Sequence, residues 1–272
     1  MSIHPALLTV LADPSDKTPL RWDGEHLRSE SSARQWRVRE GIPELVEEGL
    51  ARYEGVSTWY DEAMRGNGGR SALGGAGYAL LAEMIGRGEG LAVDLGCGTG
   101  LSAEYVRGQG YQPVGVDLSF DMLLHARSRL PVAQGDAARL PLKAAVTSLA
   151  YSTFTTTDWD DLNGALAEAY RILKPGGRYV CVAVHPCFAG SHAEAQPSGD
   201  VVQHPGYVVS RFHAPEEHKT PVRSRVGAWH RTLADLVNAF IDAGFTLRLM
   251  REGGAAALPE ALAIAAQKPL LA

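Results

Sequence analysis

Apolar positions along the chain recur with two periods. Leu91–Leu95, Pro113–Val116, Thr147–Phe154, Tyr179–Val184 and Ala261–Ala266 are short apolar or mixed runs of strand length, bounded by glycine, proline or polar clusters. Leu162, Ala165, Leu166, Ala169, Tyr170 and Leu173 instead fall at helical spacing, as do Leu233, Leu236, Val237, Phe240 and Ile241, each set giving one apolar stripe to lay on a sheet. Shorter helices are predicted from about Tyr78 to Ile85, from Leu101 to Val106 and near Phe120, with Gly86, Gly88, Gly108 and Gly244 as stops. Alternation of strand and helix predicts an α/β fold with a doubly wound, mostly parallel sheet.

Three stretches fall outside that alternation. Residues 1–50 carry short apolar runs, turns at Pro14 and Pro19, and Trp22 and Trp36, which reads as a small β-rich appendage with little core of its own. Tyr53 to Gly77 is glycine-rich and reads as a mobile segment ahead of the core. Residues 186–228 are rich in Pro, Gly and His without strong periodicity, the pattern of a long insertion covering a binding site. The expected organisation is therefore an appendage over 1–50 and a main domain over 51–272.

Composition narrows the function classes. A net charge of −5 over 272 residues gives no general attraction to polyanions, so no nucleic-acid partner is expected. No apolar run approaches the ~20 residues that span a bilayer, and no basic segment leads into an apolar one at the N-terminus, so no membrane partner and a cytoplasmic location are expected. Cys97, Cys181 and Cys187 lack paired spacing, and the six histidines His185, His192, His204, His213, His218 and His230 form no ligand signature, so no metal site is expected. Nothing in the sequence sets the oligomeric state.

The chemistry concentrates at Val93-Asp94-Leu95-Gly96-Cys97-Gly98-Thr99-Gly100, where an apolar strand stops at alternating glycines before a helix. Asp117 follows at the end of the next strand, at the spacing where nucleotide-binding α/β folds grip ribose hydroxyls. It could also serve as a turn or cap aspartate. A dinucleotide fingerprint requires a third glycine where Leu101 stands, so the G-x-G-x-G spacing excludes it.

The stretch VDLGCGTG closely resembles the first motif of class I, Rossmann-like S-adenosylmethionine-dependent methyltransferases, and VGVDLSFDML resembles the second. Gly135-Asp136-Ala137 with Leu140-Pro141 matches the family's third strand end, and Arg171 with Leu173-Lys174-Pro175-Gly176-Gly177 matches its turn into the fifth strand. Lys143-Ala144-Ala145-Val146 departs from the acidic lead common before the fourth strand. The resemblance spans about Tyr53 to Pro269 and implies seven strands, S-adenosyl-L-methionine as cofactor, and Asp94, Gly96, Cys97, Gly98, Gly100, Asp117, Leu118, Met122, Asp136 and Ala137 as cofactor-binding residues. Asp136 and the next amide would read the adenine edge. A helix N-terminus at Gly98–Leu101 would face the methionine carboxylate, with Asp94 on the amino side.

The first 45 residues resemble the zinc ribbon that precedes some rRNA guanine methyltransferases and that also occurs as a free tRNA-methyltransferase activator subunit. Asp13-Pro14-Ser15-Asp16 stands in place of its Cys-Pro-x-Cys knuckle, and Ser29, Ser31 and Ser32 occupy the region of the second pair, so a ribbon without its metal is expected.

Together these readings predict methyl transfer to an oxygen or nitrogen of a small metabolite or natural product. An rRNA or tRNA base methyltransferase and a non-catalytic cofactor-binding or activator subunit are the alternatives. For proton removal the candidates are His185, Asp158 and His230; for substrate contact, Tyr60, Thr156, Thr157 and His185. Tyr60 could equally be a packing aromatic, and His185 a turn residue held by the backbone.

Overall fold

The computed structural model describes residues 3–46, 51–69, 72–196, 198–254 and 258–270. After helix α1 (Pro5–Leu8), strands β1 (Leu20–Trp22), β2 (His26–Ser29), β3 (Gln35–Arg39) and β4 (Ile42–Pro43) form an antiparallel meander. Helices α2 (Ser57–Gly69) and α3 (Ala72–Ile85) lead into the main sheet. That sheet contains β5 (Gly90–Leu95), β6 (Tyr111–Asp117), β7 (Val132–Gln134), β8 (Thr147–Thr153) and β9 (Leu173–Val184), with α4 (Ala103–Gly108), α5 (Phe120–Ala126) and α6 (Leu162–Ile172) between its strands. Beyond β9 lie β10 (Ala193–Ala195), β11 (Val201–Gln203), β12 (Arg211–His213), α7 (Arg223–Val226) and β13 (Ala228–His230). Helix α8 (Leu233–Asp242), β14 (Thr246–Gly253) and β15 (Ala261–Gln267) complete the chain.

The seven-stranded sheet has the order β14-β15-β9-β8-β5-β6-β7. Strands β5 to β9 pair in parallel, while β15 runs antiparallel to both β9 and β14. Order reverses beside β5, so the ends of β5 and β8 open the crevice where such sheets bind ligands. The helices start where their sequences allow it. Ser119, Asp161 and Thr232 cap α5, α6 and α8 by accepting the N–H groups of Met122, Gly164 and Asp235.

Several expectations change. Tyr53–Gly77 is not a loose lead-in: its described residues are largely the helices α2 and α3. Gly77 serves close approach, because a Cβ there would lie 2.2 Å from the Phe154 ring. The Lys174–Gly177 turn is a bulge within β9, with the β8 register jumping from Thr147↔Leu173 to Leu149↔Arg178 and Gly176 at φ 77°. Within the described residues of the insertion and its end, β10 pairs with β11 and β12 with β13, both antiparallel.

The appendage shares its apolar side chains with the main core. Leu7, Leu11, Leu27, Trp36 and Leu45 belong to one buried cluster with Leu95, Val116, Leu140 and Leu166. Lys143, in place of an acidic lead, makes the junction: its N–H donates to the Val10 carbonyl at 2.9 Å and its Nζ to that of Thr9 at 2.8 Å. At the knuckle positions, Asp13 is fully buried. Its carboxylate accepts from Ser15 N–H at 2.9 Å and Trp36 Nε1 at 3.1 Å, with Arg34 at 3.4 Å. Asp16 accepts from Thr18 and Ser31, and Thr18 meets Ser29 at 2.8 Å. Ordinary hydrogen bonds therefore join the two knuckles.

Candidate functional site

At the carboxyl ends of β5, β6 and β8 lies a cavity of about 840 Å³ that runs from the glycine loop to the insertion. It falls in the upper part of the ~300–1,000 Å³ range of small-molecule sites. Its glycine-loop end holds two carboxylates, Asp94 buried and Asp117 half-buried. Asp94, 1% exposed, accepts from Ser102 Oγ at 2.6 Å through Oδ2, while Oδ1 is buried without a hydrogen-bond partner among the described residues. Burial raises its pKa to about 7, Ser102 opposing and the Asp117 charge reinforcing the shift. Asp117 accepts Gly98 N–H at 2.7 Å and Ser119 N–H at 2.9 Å. Burial lifts its pKa to about 6 against those two bonds.

Loop geometry follows from these contacts. Gly98 sits at φ 52°, and the space its Cβ would fill is open. Arg129 braces the loop from behind, donating to the Thr99 carbonyl and to Asp61 of α2 at 2.7 Å. The following helix begins only at Ala103 and runs for six residues, so the expected helix end at Gly98–Leu101 is a turn with a weak dipole. Asp94, Gly96, Cys97, Gly98, Asp117 and Met122 line the cavity. Gly100, Leu118, Asp136 and Ala137 are not in its wall. Gly100 packs toward Leu130, the Leu118 carbonyl accepts from Gln134 at 2.9 Å, and Asp136 caps the short turn of Ala137–Arg139 by accepting Ala138 N–H at 2.9 Å.

The middle of the cavity is aromatic and polar. Tyr60 lines it while packing edge-on against Tyr53, ring centroids 5.6 Å apart, so packing and wall roles coincide. Burial pushes its pKa up to about 12. Phe154, Thr155, Thr156, Thr157 and Asp158 follow β8 along the wall, Phe154 at φ 61°, a left-handed conformation rare for an aromatic residue. Asp158 meets Arg223 at 2.5 Å and Tyr53 Oη at 3.3 Å.

His185 departs from expectation. Side chains alternate along β9, so Val184 and Pro186 face the cavity and His185 turns away. The ring is 1% exposed, with Nε2 2.8 Å from Glu252 Oε1 and Nδ1 accepting Cys187 N–H at 3.1 Å. The expected substrate contact and proton removal are not supported by this placement: β14, which the apolar pattern did not predict, supplies Glu252 and engages the ring outside the cavity wall. His230 does line the cavity, and Nε2 lies 2.7 Å from the Tyr207 carbonyl. Among the described residues no group of three or more His, Cys, Asp or Glu side chains is arranged to hold a metal ion.

Sequence reasoning missed Arg223, Arg231, Tyr53, His213 and His218, all in the wall. Arg223 reaches Thr157 Oγ1 at 2.7 Å as well as Asp158, and Arg231 donates to the Thr156 carbonyl at 2.6 Å and the Trp159 carbonyl at 2.5 Å. No local pattern marks Arg223 and Arg231, because these partners lie far away in sequence.

A methyltransferase domain model matches residues 93–181. A malonyl-acyl-carrier-protein O-methyltransferase of Pseudescherichia vulneris is 31% identical over 179 residues, covering 65% of this chain and 69% of that protein. The chain belongs to the class I S-adenosylmethionine-dependent methyltransferases. The family's cofactor is S-adenosyl-L-methionine. A dTDP-3-amino-3,4,6-trideoxy-alpha-D-glucopyranose N,N-dimethyltransferase of Streptomyces venezuelae is 36% identical over 150 residues, covering 53% of this chain and 61% of that protein. For the Salmonella typhimurium malonyl-acyl-carrier-protein O-methyltransferase, 37% identity covers 36% of this chain and 41% of that enzyme. The chain thus spans less than two thirds of each of these last two relatives. Fold likeness extends further: a Mesorhizobium loti S-adenosylmethionine-dependent methyltransferase superposes with a TM-score of 0.59 at 23% identity, over 71% of this chain and 98% of that one.

Proposed function

We propose that this chain transfers a methyl group from S-adenosylmethionine to an oxygen or nitrogen of a small molecule. One observation carries the reading: one continuous cavity joins the carboxylates of the glycine loop to a polar wall supplied by the insertion. The unpartnered Asp94 Oδ1 suits the cofactor's cationic amino group, and the open space at Gly98 lets a ligand approach the backbone. Asp117, held by two backbone N–H groups, keeps lone pairs for the ribose hydroxyls.

A sulfonium supplies an activated methyl group and a good leaving group, which leaves alignment, desolvation and proton removal to the protein. Tyr60, Thr156 and Thr157 would hold the acceptor, while Asp158 is engaged by Arg223. An RNA substrate would call for a continuous basic face. In the appendage, Arg21, Arg28, Arg37 and Arg39 instead pair with Glu30, Asp23 and Glu44. The three named relatives act, by their names, on an acyl-carrier substrate and a nucleotide sugar.

Calorimetric titration with S-adenosylhomocysteine tests the cofactor roles. Asp117→Ala is expected to weaken binding at least about tenfold, or ~1.4 kcal/mol. Unchanged affinity would overturn the ribose assignment, and no binding by the unaltered chain would overturn the function.

A further inference from the structure

The three sequence candidates for proton removal end up in different situations. His185 has both ring nitrogens engaged outside the cavity, and Asp158 is paired with Arg223. His230 lines the cavity, is 7% exposed, and packs its ring 4.5 Å from that of His192. A carbonyl oxygen can only accept, so the 2.7 Å contact with Tyr207 O fixes the proton of neutral His230 on Nε2. The lone pair is thereby left on Nδ1, which has no hydrogen bond among the described residues. Nucleophile activation has this arrangement: a base oriented by a third group behind it.

Charge in the surrounding wall restricts the substrate. Arg223 is committed to Asp158 and Arg231 to two backbone carbonyls, while Lys219 pairs with Glu194 at 3.0 Å near the solvent. Burial, with neighbouring positive charge, lowers the pKa of His213 and His218, which favours their neutral forms. An anionic substrate would enter beside Asp158, Glu194 and Glu217 with no uncommitted cation among the described wall residues to meet it. Tyr53, Tyr60, Phe154 and Trp229 offer flat apolar surface to a ring.

Resting on the methyl-transfer reading, we propose that His230 Nδ1 accepts the proton of an uncharged substrate bearing a weakly acidic ring hydroxyl, a phenol or enol. The O–H bond breaks, an N–H bond forms at Nδ1, and the electron pair stays on oxygen as the nucleophile. Charge balances because the positive charge lost at the sulfonium reappears on the imidazolium, whose Nε2–H still faces the Tyr207 carbonyl.

The test uses 4-nitrophenol at mildly acidic pH, where it is uncharged, titrated into the full chain with S-adenosylhomocysteine. Binding is expected to shift its absorbance toward the phenolate. The ether 4-nitroanisole and the anion 4-nitrobenzoate should bind at least about tenfold more weakly. His230→Phe should abolish the shift and weaken nitrophenol at least about tenfold while S-adenosylhomocysteine affinity stays within about twofold. Should that variant not fold, nitrogen-15 spectra of histidine-labelled unaltered chain must show Nε2 protonated and Nδ1 bare. The opposite tautomer, an unshifted nitrophenol spectrum, or nitrobenzoate binding as tightly as nitrophenol overturns the inference. If S-adenosylhomocysteine binds and only these readouts fail, the methyl-transfer reading stands; if S-adenosylhomocysteine does not bind, both fall.

Discussion

The two ends of the cavity are built by different means. At the glycine-loop end, Asp94 and Asp117 are held by groups within one strand–loop–strand stretch: Ser102, Gly98 and Ser119, the longest link spanning 19 positions. At the insertion end, the two wall arginines join segments far apart, Arg223 to Asp158 across 65 positions and Arg231 to the Thr156 carbonyl across 75. Local construction fixes a geometry that many substrates can share. Cross-linking between distant loops lets one end change while the other stays intact, which suits a common cofactor and a private acceptor.

The largest effect expected from this contrast lies in the carboxylates. An unfolded aspartate titrates near 4, whereas burial raises folded Asp94 to about 7 and Asp117 to about 6. Between those values the folded chain binds more protons than the unfolded one, so stability falls as pH rises from about 4 to about 7. A loss of several kcal/mol, on the order of 7 from the two groups together, is expected in denaturant titrations without cofactor, and Asp94→Asn should flatten the slope. A flat profile in the unaltered chain would contradict the burial of both groups. S-adenosylhomocysteine, bringing an amino group to Asp94, should restore stability most at the alkaline end.

A smaller and local effect is expected at the other end. Arg223→Met leaves Asp158 and Tyr53 without their buried partner and should release the insertion while the sheet stays folded. Proteolysis within residues 186–228 should quicken at least about tenfold, or ~1.4 kcal/mol of local opening. Equal cleavage rates would show that the cross-link does not hold the insertion down. The smallest effect belongs to Lys219→Ala. Its pair with Glu194 is largely in solvent, with the lysine 82% exposed, so stability should move by less than about 1 kcal/mol.

Legibility in the sequence divides along the same line. The sheet, the glycine loop and Asp117 could be read because strand periodicity and short spacings are local properties of the chain. The Asp117 carboxylate does stand in the cavity, whereas Asp136 spends its oxygens on Ala138 and Arg139. The sequence puts His185 at the end of β9, where it stands, but the alternation of side chains along that strand turns it away from the cavity. Arg223 and the tautomer of His230 left no trace in sequence, since their partners are a distant aspartate and a backbone carbonyl. The glycines of Tyr53–Gly77 suggested mobility, while at Gly77 the missing Cβ makes room for the Phe154 ring.

The Asp13 hub carries a consequence for where the protein can work. Its two knuckles are joined through carboxylates, hydroxyls and an indole N–H, groups that neither chelators nor mild oxidants attack. A thiolate-zinc lobe couples its folding to metal supply and redox poise. Here that coupling is absent from the joint itself, so the lobe that shares the main core is expected to stay folded through zinc starvation and oxidative stress.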